Sequence, residues 1–381
     1  MSGWRVTPVD GVAAIEPGAW DALLGPAGSP FQEHAFLSAV EAHSAVPARG
    51  VRPRHLVAWE GGRPVAALPL YLKVDPRGEL VYDGSLELLA ARLGLAYYPK
   101  AVGMAPFTPA EGERVLVAPD RERAPLEAAL LQVALEWAGR VGLSGVHLLF
   151  LSEAEAARRE AQGWLRRLGW QLCWTREGER SLDELLLRLR SKDRVMIKRE
   201  LRRPAEAGLE VEVVEGEAIT EEHRDALWGF WSRTCARHAT GSQYLHRGSW
   251  DLLFERWRAR LVLVCARSAR GLEAGALCVH KGDELWGRYW GSRVEVPALY
   301  FVLTMYRPLQ LLAERGWRRF HLGAGQSDYK LARGCEPEPV HSAHRLLEPR
   351  LHQVAARWLA GERQVVAQEI EAVRARARRQ G

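Results

Sequence analysis

The sequence predicts a mixed α/β (α+β) fold of two tandem domains, each a mixed β-sheet flanked by helices. The chain has 381 residues, which is enough for about two and a half domains of typical size. Both halves repeat the order strand, strand, helix, strand, which indicates a duplicated unit or two α/β domains of similar order. A strongly basic segment lies between them. We therefore predict domains at residues 1–178 and 179–381, the second with a basic helix at 188–203 and a helix at the end of the chain.

Strand-like runs and amphipathic helices follow one another through the first domain. Gly61, Gly62 and Arg63 predict a hairpin turn between two strands. Ser152 and Glu155 form a capping box that opens a helix, which we expect to end near Gly169. The predicted strands are 54–60, 64–73, 146–151 and 170–175, and the predicted helices are 126–141 and 152–169.

The second domain is predicted to begin with a long helical segment. Ser181 and Glu184 form another capping box, and the helical pattern runs through the basic stretch to Pro204. Pro308 is expected to kink a helix at 299–315, because proline cannot donate the backbone hydrogen bond to Thr304. The other predicted elements are helices at 221–238 and from 351 onwards, and strands at 261–267, 273–280, 284–290 and 318–322.

The composition excludes several classes of protein. Hydrophobic residues make up 47% and charged residues 26%, which argues against a disordered or collagen-like chain. The net charge of +6 permits an anionic partner, such as nucleic acid, a CoA-type pyrophosphate or an acidic precursor, without requiring one. The start of the chain lacks the apolar core of a secretory signal, so a cytoplasmic location is expected.

The cysteines and histidines do not form a recognisable metal motif. The five cysteines are widely spaced and include no CxxC pair, so neither a zinc ribbon nor a disulfide framework is indicated. His341 with His344, and Cys235 with His238, have the spacing of metal-binding pairs on a helix. No second pair lies at a fitting distance, and we therefore predict no metal site.

The segment 188–203 holds eight cationic and two anionic side chains, and this excess of six equals the net charge of the whole chain. On a helix, residues four apart form one stripe. A phosphate-rich partner would offset the repulsion within such a stripe. The alternative is a solvated helix face that acidic residues elsewhere neutralise. The stripe consists of Arg194, Lys198 and Arg202, with Arg199 and Arg203 beside it.

The segment after the strand 318–322 concentrates polar groups behind two glycines, which let the backbone approach a ligand closely. An acceptor, a base, a hydroxyl and a cation within five residues form a plausible set for acyl transfer to an amine. The alternative is a β–loop–helix turn with surface polar residues. The polar set is Gln326, Asp328, Tyr329 and Lys330.

Arg288 lies within an apolar strand, where an arginine is usually paired or faces a ligand.

Several short motifs, in the same order along most of the chain, resemble the FemAB-like proteins, a peptidoglycan biosynthesis/recognition family within the GNAT-fold acyltransferases. The resemblance implies two GNAT-like domains. It also implies transfer of an amino acid from aminoacyl-tRNA to an amine of a cell-wall precursor, as in the better-studied Fem proteins. The motifs are Pro69–Lys73, Gly78 and Glu79 with Asp83, Tyr97–Lys100, Pro106–Pro109, Gly287–Gly291, Gly323–Gln326 with Lys330–Gly334, and Ser342 with His344.

The chain departs from the family pattern in two motifs. Where the family usually reads Leu-His-Phe-Glu, this chain reads Leu-Tyr-Phe-Val at 299–302. Where the family usually reads Gln-Gly-Glu-His-Lys, this chain reads Gln-Ser-Asp-Tyr-Lys at 326–330. The site has therefore lost ionisable groups, which indicates a specialised paralogue with a different substrate.

The predicted function is N-acyl or aminoacyl transfer to an amine of a peptide, a cell-wall precursor or a small molecule. The amine attacks an ester or thioester directly. Asp328 or Tyr329 is the candidate base or proton relay, and Lys330 stabilises negative charge. The resemblance adds a set of predicted substrate-binding residues: Arg288, Tyr289, Gln326, Arg333, Glu79, Asp83, Tyr97 and Lys100.

The donor is predicted to be aminoacyl-tRNA rather than acyl-CoA. The segment 291–297 lacks the glycine-rich loop that cradles pyrophosphate in CoA-dependent acetyltransferases. Either donor would be a co-substrate, and no tightly bound cofactor is expected. Three alternatives stay open, namely an acyl-CoA-dependent N-acetyltransferase, a non-catalytic protein that recognises peptidoglycan or a peptide, and an RNA-binding protein. The predicted tRNA contacts are Arg194, Lys198, Arg199, Arg202 and Arg203.

Overall fold

The computed structural model describes residues 3–26, 28–43, 50–76, 80–81, 83–237, 243–323, 325 and 328–378, with side chains as far as residue 376. The chain forms two compact units. The first comprises Met1–Gly169, Tyr244–Ser249 and Pro339–Gln368, and the second comprises Trp170–Gln243, Trp250–Glu338 and Glu369–Gly381. The sequence predicted one division after residue 178. The observed first unit also takes in two later segments, and the longer of them contains most of a strand and most of the last helix.

Two β-sheet regions form the first unit. Its strands are β1 (Arg5–Val9), β2 (Val51–Pro53), β3 (His55–Glu60), β4 (Arg63–Leu68), β5 (Leu70–Lys73), β6 (Lys100–Gly103), β7 (Leu116–Val117), β8 (Gly145–Leu151) and β15 (Glu336–Leu346). One sheet has the order β1-β3-β4-β7, with all neighbours antiparallel. In the other region β2, β5, β6, β8 and β15 lie side by side, and only β6 and β8 run parallel.

The helices of the first unit are amphipathic and cover its sheets. They are α1 (Pro17–Asp21), α2 (His34–His43), α3 (Gly84–Arg92), α4 (Arg123–Arg140), α5 (Glu153–Ala161) and α13 (Pro349–Arg378). In α4, Leu126, Leu130 and Ala134 recur every four residues and are buried in the core with strand residues such as Leu148.

Helix α5 starts where the sequence predicts and ends earlier. The Ser152 hydroxyl accepts a hydrogen bond from the Glu155 amide at 3.1 Å, which caps the helix. The helix ends at Ala161 instead of near Gly169. The reason is Gly163, whose φ of 80° turns the chain out of the helix. The next strand, β9 (Leu165–Thr175), therefore begins earlier than predicted.

The second unit is built on one mixed sheet with the order β10-β11-β12-β13-β14-β9. Only β13 and β14 are parallel neighbours. The bounds are β10 (Glu210–Glu215), β11 (Leu261–Ser268), β12 (Gly271–Lys281), β13 (Glu284–Ser292) and β14 (Arg319–His321). Its helices are α6 (Leu182–Leu186), α7 (Ser191–Glu206), α8 (Glu221–Arg237), α9 (Arg247–Arg256), α10 (Leu299–Phe301), α11 (Arg307–Arg315) and α12 (Asp328–Leu331).

Strands β13 and β14 pair over three residues and then part. The pairing joins Glu284–Trp286 to Arg319–His321, after which β14 ends and β13 continues beside β12 to Ser292. A β-bulge follows, because Cys278 and Leu277 of β12 lie opposite Gly287 and Tyr289 and leave Arg288 without an opposite residue. The parting of the two strands opens space beside their carboxyl ends.

The backbone of α8 approaches β13 so closely that only glycine fits at position 291. A Cβ atom built on Gly291 would lie 2.2 Å from the carbonyl carbon of Phe230. This close approach explains why the Gly287–Gly291 motif ends in glycine.

The connection from β13 to β14 is not the simply kinked helix that the sequence predicted. The short α10 passes into a π-helical turn, Val302–Tyr306, before α11 begins at Arg307. Pro308 lies just after this turn, and the turn contains Thr304, whose carbonyl loses its helical hydrogen bond when proline stands at 308. The irregularity near Pro308 is therefore a π-helical turn just before the proline. Such π-turns are frequent at functional sites.

The five cysteines are all buried, and each is a thiol outside any disulfide. In the described part of the chain, no helix has both the length and the apolar character needed to cross a lipid bilayer.

Candidate functional site

A cavity of about 120 Å³ lies in the second unit where β13 and β14 part. Strands β12 and β13 form one wall, and the π-helical turn with the segment after β14 forms the other. All of its lining residues belong to the second unit. They are Ala276, Leu277, Cys278, Gly287, Arg288, Tyr289, Trp290, Tyr300, Phe301, Thr304, Met305, Phe320, Leu322, Tyr329 and Lys330.

Lys330 is the most buried charged group of this cavity, with 5% of its surface exposed. Its ammonium donates to the carbonyl oxygens of Leu322 and Gly325, each at 3.0 Å. These two bonds tie the segment after β14 to α12. Burial lowers the pKa of Lys330, since desolvation disfavours its charged form.

Two tyrosine hydroxyls meet at the cavity. The hydroxyls of Tyr300 and Tyr329 lie 3.1 Å apart, close enough to share a hydrogen bond. Burial, together with the bond to Tyr329, raises the pKa of Tyr300 well above its usual value, so it stays protonated at neutral pH. These are the two positions at which the family pattern has histidine. The two substitutions therefore fall on side chains that contact each other.

Arg288 and Tyr289 also line the cavity, as the sequence predicts for substrate-binding residues. The bulge turns Arg288 out of the regular alternation of β13, and its guanidinium lies 5.2 Å from the centre of the Tyr289 ring. Tyr289 packs in turn against Trp231, with ring centres 4.7 Å apart.

Asp328 lies away from the cavity. Its side chain is 89% exposed and forms an ion pair with Arg376 near the end of α13. It is not among the lining residues. Asp328 is therefore out of reach of a substrate in the cavity, and a general base must reach the proton that it removes.

The Arg333 side chain makes its contacts with other residues of the protein. Its three nitrogens donate to the Tyr306 hydroxyl at 2.5 Å, the Tyr329 carbonyl at 3.1 Å and both carboxylate oxygens of Glu200 at 3.0 and 3.1 Å. The guanidinium also stacks 3.7 Å from the centre of the Phe301 ring. With its donors used in this way, Arg333 is a support for the cavity wall rather than one of its ligand-facing groups.

The helical segment predicted from Ser181 to Pro204 folds as α6 and α7 with a break between them, and the basic residues from Lys192 to Arg203 lie on α7. Arg190 has an extended backbone just before α7, which separates the two helices. Arg194 is half-buried and donates to the Leu189 carbonyl, and Lys198 pairs with Asp183 at 2.8 Å. Arg203 pairs with Glu206 at 3.0 Å. Three of the five predicted phosphate-binding residues are therefore engaged within the protein.

The remaining cations of α7 face solvent. Lys192, Arg199 and Arg202 are exposed, and no ion pair joins them to a carboxylate of the described residues. Val195 is also exposed and lies on the same face, at the heptad-like spacing 192, 195, 199 and 202. The exposed face of α7 is thus cationic, although its residues differ from the predicted stripe.

The predicted substrate residues of the first unit form a buried polar cluster. Asp83 and Lys100 make an ion pair in which both side chains are at most 1% exposed. The Tyr97 hydroxyl donates to the Asp83 carboxylate at 2.9 Å, and Arg167 approaches the same carboxylate at 3.5 Å. Burial by itself would raise the pKa of Asp83. The nearby positive groups, Lys100 foremost, together outweigh burial and hold the pKa well below its usual range.

Two histidines extend this cluster. His147 and His344 face each other across β8 and β15, with their Nδ1 atoms 2.7 Å apart. The Nε2 atom of His344 lies 2.9 Å from the Ser342 hydroxyl. Burial lowers the pKa of His344 to about 3 and that of His147 well below its usual value, so both are neutral at physiological pH. Glu79 and Gln326, two further predicted site residues, lie outside the described residues.

A search with family models matches residues 11–379 of the chain to the FemAB-like model, whose description is peptidoglycan biosynthesis/recognition. The chain belongs to the FemAB-like family. No curated protein sequence matches it.

Two solved structures support the fold of this FemAB-like protein, and a third is similar at a lower score. FemX matches over 91% of this chain and 99% of its own, with 13% identity and a TM-score of 0.55. The C-terminal domain of a putative lysylphosphatidylglycerol synthetase from Agrobacterium fabrum matches over 89% and 94%, with 13% identity and a TM-score of 0.54. A tandem GNAT protein from the clavulanic acid biosynthesis pathway matches over 91% and 99%, with 15% identity and a TM-score of 0.47. The prediction of tandem GNAT-like domains with mixed sheets flanked by helices is confirmed.

Sequence reasoning missed three residues of the FemAB-like protein that organise these sites. They are Tyr300 in the cavity, His147 in the buried cluster, and Glu200, which binds Arg333. Tyr300 carried a signal, since it replaces a family histidine. His147 also carried one, since it is a polar residue inside a wholly buried strand. Glu200 carried none that separates it from a solvated residue of a charged helix.

Three carboxylates of the first unit, Glu113, Glu127 and Glu155, come within metal-binding distance of one another. Each is already engaged, however. Arginine side chains pair with Glu113 and Glu127, and backbone amides donate to Glu155. Burial and the nearby Glu113 raise the pKa of Glu155 to about 7. Of the residues with the spacing of metal-binding pairs, His341 and His344 lie on strand β15 instead of a helix and contact Arg166 and His147 respectively. His238 lies outside the described residues.

Proposed function

We propose that this FemAB-like protein is an N-acyltransferase of the Fem type and that its reaction takes place in the cavity of the second unit. The observation that carries the proposal is that Lys330 and the Tyr300–Tyr329 pair line the same cavity, in the space where two parallel strands part. Ligand sites in α/β sheets favour the carboxyl ends of parallel strands. The acceptor is an amine of a peptide, a cell-wall precursor or a small molecule.

In the proposed reaction the acceptor nitrogen attacks the acyl carbonyl carbon directly. The carbon–nitrogen bond forms, the ester or thioester bond breaks, and the amine proton passes to the leaving oxygen or sulfur through the Tyr329 and Tyr300 hydroxyls. Lys330 stabilises the negative charge that develops on the carbonyl oxygen. Arg288 and Tyr289 orient the substrates. Neither tyrosine needs to ionise, because a hydroxyl can accept one proton while it donates another.

Lys330→Met tests this assignment directly. We expect turnover to fall by about 10²-fold, since a preorganised charge near a developing oxyanion contributes that much to catalysis. The measurement is the mass of acceptor peptides and cell-wall precursors after incubation with aminoacyl-tRNA or with acyl-CoA. Lys281→Met, at the end of β12 and outside the cavity, is the matched control and should keep the wild-type rate. An acceptor mass that never changes with either donor would favour the non-catalytic recognition protein.

The donor we propose is aminoacyl-tRNA, bound through the exposed face of α7. The support is the set of exposed cations on that face that lack an ion pair with a described carboxylate. Acyl-CoA is the alternative donor, and the assay above includes it.

We expect the triple variant K192E/R199E/R202E to weaken tRNA binding and to flatten its dependence on salt. Each phosphate contact that is lost should lower the slope of log K against log salt by about one unit. A fluorescence anisotropy titration at several salt concentrations gives both values. The control, R92E/R140E/R357E, makes the same change in net charge at exposed positions of the first unit. Equal effects of the two variants would show that α7 is only a solvated face.

A further inference from the structure

The described residues of the cavity wall carry positive charge and no negative charge. Arg288 and Lys330 are its two ionised residues, and none of the described lining residues is acidic. The other lining residues are apolar or aromatic, apart from the hydroxyls of Thr304 and the tyrosines. A ligand with a positive charge would therefore be desolvated here without a counter-ion.

The Lys330 ammonium has one N–H group left for a hydrogen bond to a ligand. A protonated lysine carries three N–H groups, and the carbonyls of Leu322 and Gly325 take two of them. Among the described residues no carboxylate lies within ion-pairing distance of the Lys330 ammonium. A buried charge without a partner is costly, so a bound group with a negative charge or a carbonyl oxygen would relieve it.

The size of the cavity limits what can enter it. At about 120 Å³ it is smaller than an apolar cavity of about 150 Å³ that takes up benzene, which has six carbon atoms. The fitting group therefore has about five non-hydrogen atoms. Its far end would contact Phe301, Met305 and Phe320, which are apolar.

We propose that the cavity binds a short acyl group or small carboxylate through the free N–H of Lys330 and that it rejects a group bearing an ammonium. This inference rests on the proposed function, because it names the chemical class of acyl group that the transferase carries. For an aminoacyl donor it means that the carbonyl oxygen enters the cavity and the α-ammonium stays outside. A lysyl side chain would be excluded.

Binding of three ligands of equal size shows the effect of charge while the size is held constant. The ligands are propionate, propionamide and n-butylamine. Methionine is rare in this chain, with 4 residues, so ¹³C-methyl labelling of methionine gives few signals. Met305 lines the cavity, and Met104 lies buried in the first unit as an internal control. We expect propionate to shift the Met305 signal with the highest affinity, propionamide to bind more weakly, and butylamine to leave the signal unchanged.

Lys330→Met should reduce propionate affinity about tenfold or more, because hydrogen bonds to charged groups contribute on that scale, and should change propionamide affinity much less. Since Lys330 also ties the segment after β14, a second variant leaves it intact. Ala276→Leu fills the cavity from β12 and should abolish both shifts at Met305. Lys281→Met should bind as the wild type does.

A shift at Met305 with butylamine as large as that with propionate, or unchanged propionate affinity in Lys330→Met, would overturn the inference. Because the titration needs no catalysis, it is independent of the acyl-transfer assay. Selective propionate binding without any acyl transfer would support the charge selectivity and contradict the proposed function alone.

Discussion

Replacing Lys100 with methionine is expected to lower the free energy of unfolding of the first unit by about 3–5 kcal/mol, the range found when one partner of a buried ion pair is removed. Methionine keeps much of the side-chain volume and removes the charge together with its hydrogen bond to Asp83 and its contacts with the Tyr97 and Tyr98 rings. The Asp83 carboxylate would then remain 1% exposed, with the Tyr97 hydroxyl and the more distant Arg167 as its described partners. Its pKa, which Lys100 now holds low against the effect of burial, should rise.

Urea unfolding followed through the Met104 methyl signal reports on the first unit. The exposed Lys192→Met is the matched control and should change the free energy of unfolding by no more than about 0.5 kcal/mol. The double variant K100M/D83N should be more stable than K100M alone, because it no longer buries an unpaired charge. A loss below about 1 kcal/mol in K100M would show that the pair contributes no more than an exposed salt bridge.

Replacing Arg333 with methionine is expected to lower the free energy of unfolding of the second unit by about 3–5 kcal/mol. The substitution would leave Glu200, whose side chain is 16% exposed, without its cation and the Tyr306 hydroxyl without one of its partners. It would also remove the stacking on Phe301 and the bond to the Tyr329 carbonyl, both in the cavity wall. We therefore expect a changed Met305 signal even in the folded protein.

A double-mutant cycle with Arg333→Met and Glu200→Gln isolates the ion pair from these other contacts. The control is Arg203→Met, on the same helix as Glu200, where an exposed ion pair with Glu206 at 3.0 Å should contribute less than about 1 kcal/mol. No coupling between Arg333 and Glu200 would mean that the aromatic contacts alone hold Arg333 in place.

Local signals in the sequence were enough to place most elements. The strands β11 to β13 and the capped start of α5 agree with the structure to within a few residues, because they depend on apolar patterning and on a bond between neighbours. The motifs that resemble the FemAB-like family were likewise visible in the sequence alone. The predicted ends of helices were less accurate where a single residue sets the end, as Gly163 does for α5.

The chemical setting of the candidate residues depended on long-range contacts. Asp328 and Lys330 are two residues apart, yet one is ion-paired with Arg376 in solvent and the other is buried in the cavity wall. The sequence predicts that Arg333 binds a substrate, but its guanidinium donates to Glu200, which precedes it by 133 residues.

The sequence by itself therefore determined the fold class, most elements, the family and the segment that carries the cavity, since these follow from periodicity and short motifs. Only the tertiary structure decided which polar groups are available to a ligand. The meeting of Tyr300 with Tyr329, the pairing of His147 with His344 and the ion pair of Arg333 with Glu200 each depend on residues distant in sequence. Burial and partners set the protonation and availability of a side chain, and the identity of the residue alone does not specify either.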